Sequence, residues 1–524
     1  MPLAVDDWDA VKQIVAPMTS ANASPTTLLG LTDSVPPGHT AIIVPEQNLK
    51  ISYAALRENV TALAESLAAA GVQRGDRIGM AMPNGLACVV SFLASSMAGT
   101  SAPLNPGYKD EEFQFYLDDT NAKVILLPPD GLPDARSAAQ AKGVRMLIVE
   151  SDASGRVSIQ GVTERRKIPP PSIDDVALIL HTSGSTGRPK RVPLSHKNLS
   201  ISARNVARSY ALTDKDVSLC VMPLFHVHGL VASTLATLAT GGTVVVPGKF
   251  NPMNFWQTAE AHGATWYSAV PTIHQLLLAR VKPGQAKPAG AEKLRFIRSC
   301  SASLPPQVLH DLEAAFGAPV LEAYGMTEAA HQMASNPLPD KGPHLPGSVG
   351  PGTDVQITIA DEKGNHLRPG ERGEVCIKGP NVITGYENNP DANATSFFDG
   401  WFRTGDQGFL DENGYLTLVG RLKELINRGG EKISPREIDE VLLAHPAVGE
   451  AVCFGVPHKM WGEEVEAAVT LKDTITEAEL VAYCKEKLSD FKRPKQIHIT
   501  EQIPRTATGK IQRRIVAQAF ASKA

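Results

Sequence analysis

The run VALIL, residues 176–180, leads directly into the decapeptide HTSGSTGRPK, His181 to Lys190. Five consecutive apolar residues before a glycine-bearing turn read as a buried strand. The decapeptide carries two glycines, four hydroxyl side chains and two cations, Arg188 and Lys190. Glycine leaves room for another group to approach the backbone, and successive N–H groups there can form an anion nest. Ser195 then supplies a start signal for a helix over SHKNLSISARNVARSY. Strand, glycine-bearing loop and helix predict an α/β architecture. The fitting ligand is a phosphate chain, although a polar surface turn has the same composition. The spacing is not that of a Walker loop, which needs G-x-x-x-x-G-K-[ST]. Here Gly184 and Gly187 are three apart and Lys190 follows three later, which disfavours a Walker-type NTPase.

The rest of the chain extends the pattern. LRENVTALAESLAAAG predicts a helix stopped at Gly71, and GDRIGMAMPNG a short strand between turns. VTERRKIPPPSIDD, Val162 to Asp175, combines charge with three consecutive prolines and predicts an exposed connector. LRFIRSC, PPQVLHDLEAAFG and PVLEAYG read as strand, helix and strand. From Val349 the alternation in VQITIADEKGNHLRPGERGEVCIKG suits antiparallel β structure. SPREIDEVLLAHPAV then predicts a helix with Ser434 as N-cap and Pro435 in its first turn. At 524 residues the chain is too long for one core. The expected division is a unit over 1–420, a small α+β unit over 424–524, and a connection at 421–423.

Composition removes several function classes. A net charge of −4 gives no general electrostatic case for nucleic acid or an anionic membrane. No apolar run approaches bilayer-spanning length, and the acidic N-terminus does not read as a signal peptide. Six cysteines without C-x-x-C spacing argue against a disulfide framework or a zinc cluster and for a reduced, cytoplasmic protein. The final residues SKA are similar to the peroxisomal address S-K-L, without its leucine.

Four further motifs follow the decapeptide: YGMTE at 324–328, GWFRTGD at 400–406, GRLKELINRGGEKISPREIDE at 420–440 and PRTATGKIQRR at 504–514. In this order they resemble the adenylate-forming superfamily of acyl-CoA synthetases, luciferases and peptide-synthetase adenylation domains. The likeness covers nearly the whole chain. It implies a large, multi-subdomain α/β N-terminal domain with a small mobile C-terminal domain. It also implies two half-reactions, in which a carboxylate attacks the α-phosphate of ATP and a thiol, that of CoA, then displaces AMP. Thr182, Ser183, Gly184, Ser185, Thr186, Gly187 and Lys190 are implied to hold the β- and γ-phosphates. Thr327 and Glu328 are implied to handle the α-phosphate and Mg²⁺. Tyr324 would stack on adenine, and Asp406 and Arg421 would bind ribose. Lys510 would reach the carboxylate and α-phosphate, and Lys423 would be the hinge. Gly429, Gly430 and Lys432 would meet CoA. Arg191 departs from the pattern, which usually has glycine after the loop lysine.

The residues expected around the acyl group are polar. PLFHVHGL carries His226 and His228, RFIRSCSAS carries Arg298 and several serines, and MTEAAHQM carries His331. Such donors suit a second carboxylate better than a fatty chain. LFHVHGL, FIRSCSASL, AVPTIHQ and SNPLP together resemble the plant and fungal oxalyl-CoA synthetases. That resemblance implies oxalate as the acid, with Ser301 and His331 anchoring it and His226 flanking the site. The alternative is a medium-chain or 4-coumarate type of acyl-CoA synthetase, and a non-enzymatic nucleotide-binding protein is the remote class. HVH is expected to put two histidines on one strand face, without a third ligand for zinc. His228 is expected to be packed or hydrogen-bonded, and Arg298 to pair with an internal acid.

Overall fold

The computed structural model describes residues 25–182, 189–281, 286–505 and 511–521. Two large sheets share one plan. In the first, parallel strands lie in the order Phe296–Ser299, Trp266–Ala269, Val217–Leu219, Thr243–Val245 and Thr40–Val44. Val320–Met326 extends this row, and antiparallel strands His331–Ser335 and Leu49–Ser52 close its two edges. The second sheet centres on parallel strands Arg145–Ser151, Ala122–Leu127, Arg77–Met80, Thr100–Pro103 and Val176–Thr182. Its edges are antiparallel Val157–Ile159 and Lys190–Ser195. Parallel strands buried on both faces need near-continuous apolar runs, and VALIL is one, fully buried from Ala177 to Leu180. In such sheets ligands collect beyond the carboxyl ends of the strands. Thr182, Ser301 and Thr327 lie at or just past three such ends.

An antiparallel sheet follows, in which Gln356–Ala360, Gly373–Lys378, Trp401–Leu410 and Leu416–Arg421 are the main strands. Its inner side chains Val375, Phe402 and Leu416 join the same hydrophobic cluster as Leu56, Leu178 and Val244. Residues 426–499 form another five-stranded sheet with its own core of Ile426, Ile438, Leu442, Val465, Leu480 and Ile497. Among the described residues, no helix is long and apolar enough to cross a membrane. All six cysteines are buried and unbridged.

Several expected elements occur as read. Tyr53–Ala69 is helical, Ser52 caps it, and Gly71 follows at φ +97°. Ser195 caps His196–Ser209 in a reciprocal pair with Asn198. Residues 162–175 are mostly exposed and free of regular structure. Three readings need correction. A strand, Lys190–Ser195, intervenes between the glycine loop and the helix, so the loop is the tip of a hairpin and not a strand-to-helix turn. HVH is not on a strand, because His228 opens a π-helical segment, His228–Leu235, a wide-turn geometry frequent at functional sites. Ser434 precedes Pro435 at the helix start as read, but its side chain makes no cap bond. Its hydroxyl donates instead to the Val419 carbonyl at 2.7 Å, and Arg436 donates to Leu418 O at 2.6 Å.

Two core histidines set an acid limit on this fold. His196 accepts from the Leu28 amide at 3.1 Å and lies 3.0 Å from the Ser96 carbonyl. Burial holds its pKa down to about 4, and burial does the same to His274. The unfolded chain therefore takes up the proton first. Stability is complete above an ordinary histidine pKa of about 6.5 and is lost as pH falls toward 4. Each histidine contributes up to roughly 3 kcal/mol to that loss. Urea midpoints measured from pH 7 to pH 4.5 should fall steeply below 6.5, and His196→Gln should flatten the slope.

Candidate active site

The strand Val320–Met326 delivers Tyr324 and then a single 3-10 turn, Thr327–Ala329. Glu328 in that turn is buried, and burial raises its carboxyl pKa against the opposing pull of Tyr386, Arg421 and Lys190. The Tyr386 hydroxyl donates to Glu328 Oε1 at 2.8 Å, and Thr182 Oγ1 lies 3.4 Å from the same oxygen. The Lys190 ammonium sits 4.3 Å above the Tyr386 ring. Register pairs Thr182 with Lys190 across the hairpin, so both feet of the glycine loop face Glu328. Ser183, Gly184, Ser185, Thr186 and Gly187 lie outside the described residues, as does Lys510.

Asp406 and Arg421 face each other across the antiparallel pair formed by Trp401–Leu410 and Leu416–Arg421. Arg421 Nε is 3.0 Å from Asp406 Oδ1, and the Tyr324 hydroxyl donates to Oδ2. Burial raises the Asp406 pKa and Arg421 opposes it. An ionised carboxylate has about four lone-pair sites. These two bonds leave two sites, the number a ribose diol requires. Burial, the neighbouring Asp406 charge and its hydrogen bond all push the Tyr324 phenol well up, so it stays a donor.

Lys423 follows in a short 3-10 turn, Leu422–Glu424, and its charge helps depress the Lys190 pKa after burial. The tip RGGEK does not join this cluster. Gly429 and Gly430 sit at φ +62° and +93° in an exposed hairpin, and Lys432 pairs with Glu362 at 3.3 Å.

A second cluster gathers around His228. Ser301 and His331 both have left-handed backbone, φ +74° and +122°, which is uncommon outside glycine. Such strain persists only where the surroundings over-determine it and is enriched at functional sites. His228 joins the two. Its Nδ1 is 3.1 Å from Ser301 Oγ, and its ring meets the His331 ring edge-on at 5.2 Å between centroids. His226 is half-buried, its ring 4.9 Å from that of Phe225. Gly325 makes room for His331: a Cβ built there would overlap the His331 carbonyl and ring.

Arg298 corrects an expectation. It is fully buried, but its guanidinium bonds three neutral oxygens: Tyr210 Oη at 2.8 Å, Ser268 Oγ at 3.0 Å and Gln332 Oε1 at 3.0 Å. Arg191, the other unusual residue, lies 3.3 Å from Glu387 and donates to the Asp119 carbonyl, while Glu387 also pairs with Arg77. It thereby ties the foot of the glycine loop to two other segments. Sequence reading missed Tyr386, Ser268, Tyr210, Gln332 and Asn381, whose amide bonds Ala329 O at 2.8 Å. Gln332 lies within MTEAAHQM, where only His331 was singled out, and none of the quoted site motifs contains the other four.

A buried carboxylate beside a lysine, an aspartate–arginine pair with spare acceptor sites and a cluster of histidine and serine side chains suit a nucleotide-dependent acid-activating enzyme. The comparisons agree. The AMP-binding enzyme family matches residues 32–387, and the AMP-binding enzyme C-terminal domain matches 437–510. The chain belongs to the AMP-binding enzyme family. It is 48% identical to an oxalate–CoA ligase of Arabidopsis thaliana, over 95% of this chain and 99% of that one. It is 44% identical to an oxalate–CoA ligase of Saccharomyces cerevisiae, over 96% of this chain and 98% of that one. The ATP-bound crystal structure of MatB from Rhodopseudomonas palustris superposes with a TM-score of 0.86 at 33% identity, covering 94% and 98% of the two chains.

Gly325→Ala should separate geometry from chemistry. The added methyl must displace His331, at a cost of about 1–3 kcal/mol in stability. Steady-state kinetics should show a raised KM for the acid and little change in KM for ATP.

Proposed function

We propose that this protein is an ATP- and Mg²⁺-dependent oxalate–CoA ligase, converting oxalate, ATP and CoA to oxalyl-CoA, AMP and pyrophosphate. The observation that carries the substrate reading is the meeting of Ser301 and His331, through His228, at one polar site. One carboxylate of oxalate is activated there and the other is anchored. A site built to bond a second carboxylate leaves its donors unpaired around an acid that lacks one, and discriminates strongly on that account.

The first step brings one anion against another. The attacking carboxylate is already ionised at neutral pH, so charge neutralisation and alignment are what the protein must supply. Lys190 and the glycine loop take the β- and γ-phosphates, and Thr327 takes the α-phosphate. Asp406 accepts the ribose hydroxyls while Arg421 holds it in place. Tyr324, fixed by its bond to Asp406, offers its ring to adenine. Glu328 fits a hard cation: it is a single buried carboxylate whose charged form burial disfavours, which suits an ion shared with phosphates and water. When bound, Mg²⁺ supplies positive charge to the phosphate oxygens.

Lys510 enters during adenylation, touching the carboxylate and the α-phosphate. The unit from Glu424 onward then turns about Arg421–Lys423. That turn withdraws Lys510 and presents Gly429, Gly430 and Lys432 to CoA, whose thiolate displaces AMP. His226 flanks the acyl group and changes position between the two arrangements. The unbridged cysteines support a reducing compartment, and we assign the cytoplasm.

Two assays test this. In a panel of acids scored by AMP release with CoA present, oxalate should give the highest kcat/KM, and octanoate or coumarate in first place would overturn the substrate assignment. Lys510→Ala should lose adenylation by about 100-fold or more, as removal of one positioned charge from a transition state does. Thioester formation from supplied oxalyl-adenylate should persist. Equal pyrophosphate release by parent and variant would remove Lys510 from the mechanism.

A further inference from the structure

A fully buried guanidinium with only neutral partners is costly unless its charge is used. Among the described residues, Arg298 has no carboxylate in its hydrogen-bond set. What it does have is a chain of polar atoms leading to the acyl site. Its Nη1 is 3.0 Å from Ser268 Oγ. Ser268 Oγ is 2.6 Å from His228 Nε2, and His228 Nδ1 is 3.1 Å from Ser301 Oγ. Both Ser268 and His228 are buried.

Donor arithmetic gives this chain a direction. Arginine has no acceptor, so Ser268 Oγ must accept from it. The Ser268 proton is then available for His228 Nε2, at a distance suited to a hydroxyl donor. When His228 accepts that proton at Nε2, its own proton sits on Nδ1 and is donated to Ser301 Oγ. Ser301 has now received a hydrogen bond, and its own proton points onward.

We propose that Arg298 is a positioning and specificity-determining residue: through Ser268 and His228 it aims the Ser301 hydroxyl, and part of its own positive potential, at a second carboxylate of the substrate. Every bond in the relay donates away from the guanidinium. Bonds aligned in one sense polarise one another, so the terminal hydroxyl is a better donor to an anion than an isolated serine. Tyr210 and Gln332 hold the other end still. The Tyr210 hydroxyl lies 2.7 Å from Ser335 Oγ, and Gln332 Nε2 donates to Ser209 Oγ at 2.9 Å. The substrate part of this inference rests on the oxalate reading above; the direction of the relay does not.

The test uses the full-length protein with Ser268→Ala, Ser301→Ala and the double variant, and Arg298→Met as a fourth. Ser268→Ala should raise KM for oxalate about 10-fold or more, leave KM for ATP unchanged and lower the oxalate-to-acetate ratio of kcat/KM. Adding Ser268→Ala to Ser301→Ala should cost little further, because the first acts only through the hydroxyl that the second removes. Additive effects, or equal losses on oxalate and acetate, would overturn the specificity role and leave a packing role only. Independently, ¹⁵N-histidine NMR of the parent should show His228, identified by its loss in His228→Gln, as the neutral Nδ1–H form, shifting in Ser268→Ala. An Nε2–H form or an imidazolium in the parent would overturn the relay. If the parent activates no oxalate at all, the function proposed above fails, and the NMR result alone decides the relay. Should Arg298→Met fail to fold, Ser268→Ala keeps the guanidinium and carries the test.

Discussion

The site depends on carboxylates buried where opposing groups must offset the cost of burial. Glu328 and Asp406 are both buried, and burial alone would drive each toward its neutral form. Opposing groups hold them: Tyr386 and Arg421 with Lys190 for Glu328, Arg421 and Tyr324 for Asp406. Arg421 serves both, so the strand Leu416–Arg421 must end where the Tyr324–Glu328 turn begins. The core beneath meets that requirement, because Leu416 and Phe402 pack into the same cluster as the strands of the two large sheets.

How much of this was legible in the sequence follows from how far each signal reaches. The strand VALIL, the Ser195 cap and the Gly71 stop are local, and they appear as read. The residues gathered around Glu328 and Asp406 were legible because they lie inside contiguous motifs. The supporting residues were not. Ser268 and Arg298 are 30 positions apart, Tyr210 and Ser335 are 125, and Thr182 and Glu328 are 146. Each pairing depends on how strands, sheets and helix ends are brought together in the fold, which no local pattern encodes. The strand Lys190–Ser195 escaped notice because Pro193 lies within it, and proline is tolerated there because this is an edge strand.

The left-handed backbone at Ser301 and His331 is a different kind of blind spot. Neither residue type predicts it, and local preference argues against it. Here tertiary structure overrides propensity. Asn381 and the Ile383 amide grip the Glu328–Gln332 turn from outside, at 2.8 Å from Ala329 O and 2.8 Å from Glu328 O. Gly325 leaves the space on the inside. A histidine held in that way owes its conformation to its surroundings and not to its own backbone preference.

Arg191 shows the same logic at the phosphate loop. A glycine at that position would leave the hairpin foot free to twist. The arginine ties it to Asp119 and Glu387, and Asp119 in turn lies 3.0 Å from His181 Nε2. Both feet of the loop, His181 and Arg191, therefore rest on one aspartate, and register sets these two residues opposite each other. Lys190, one position inside the anchor, keeps its ammonium over Tyr386 and so stays within reach of Glu328.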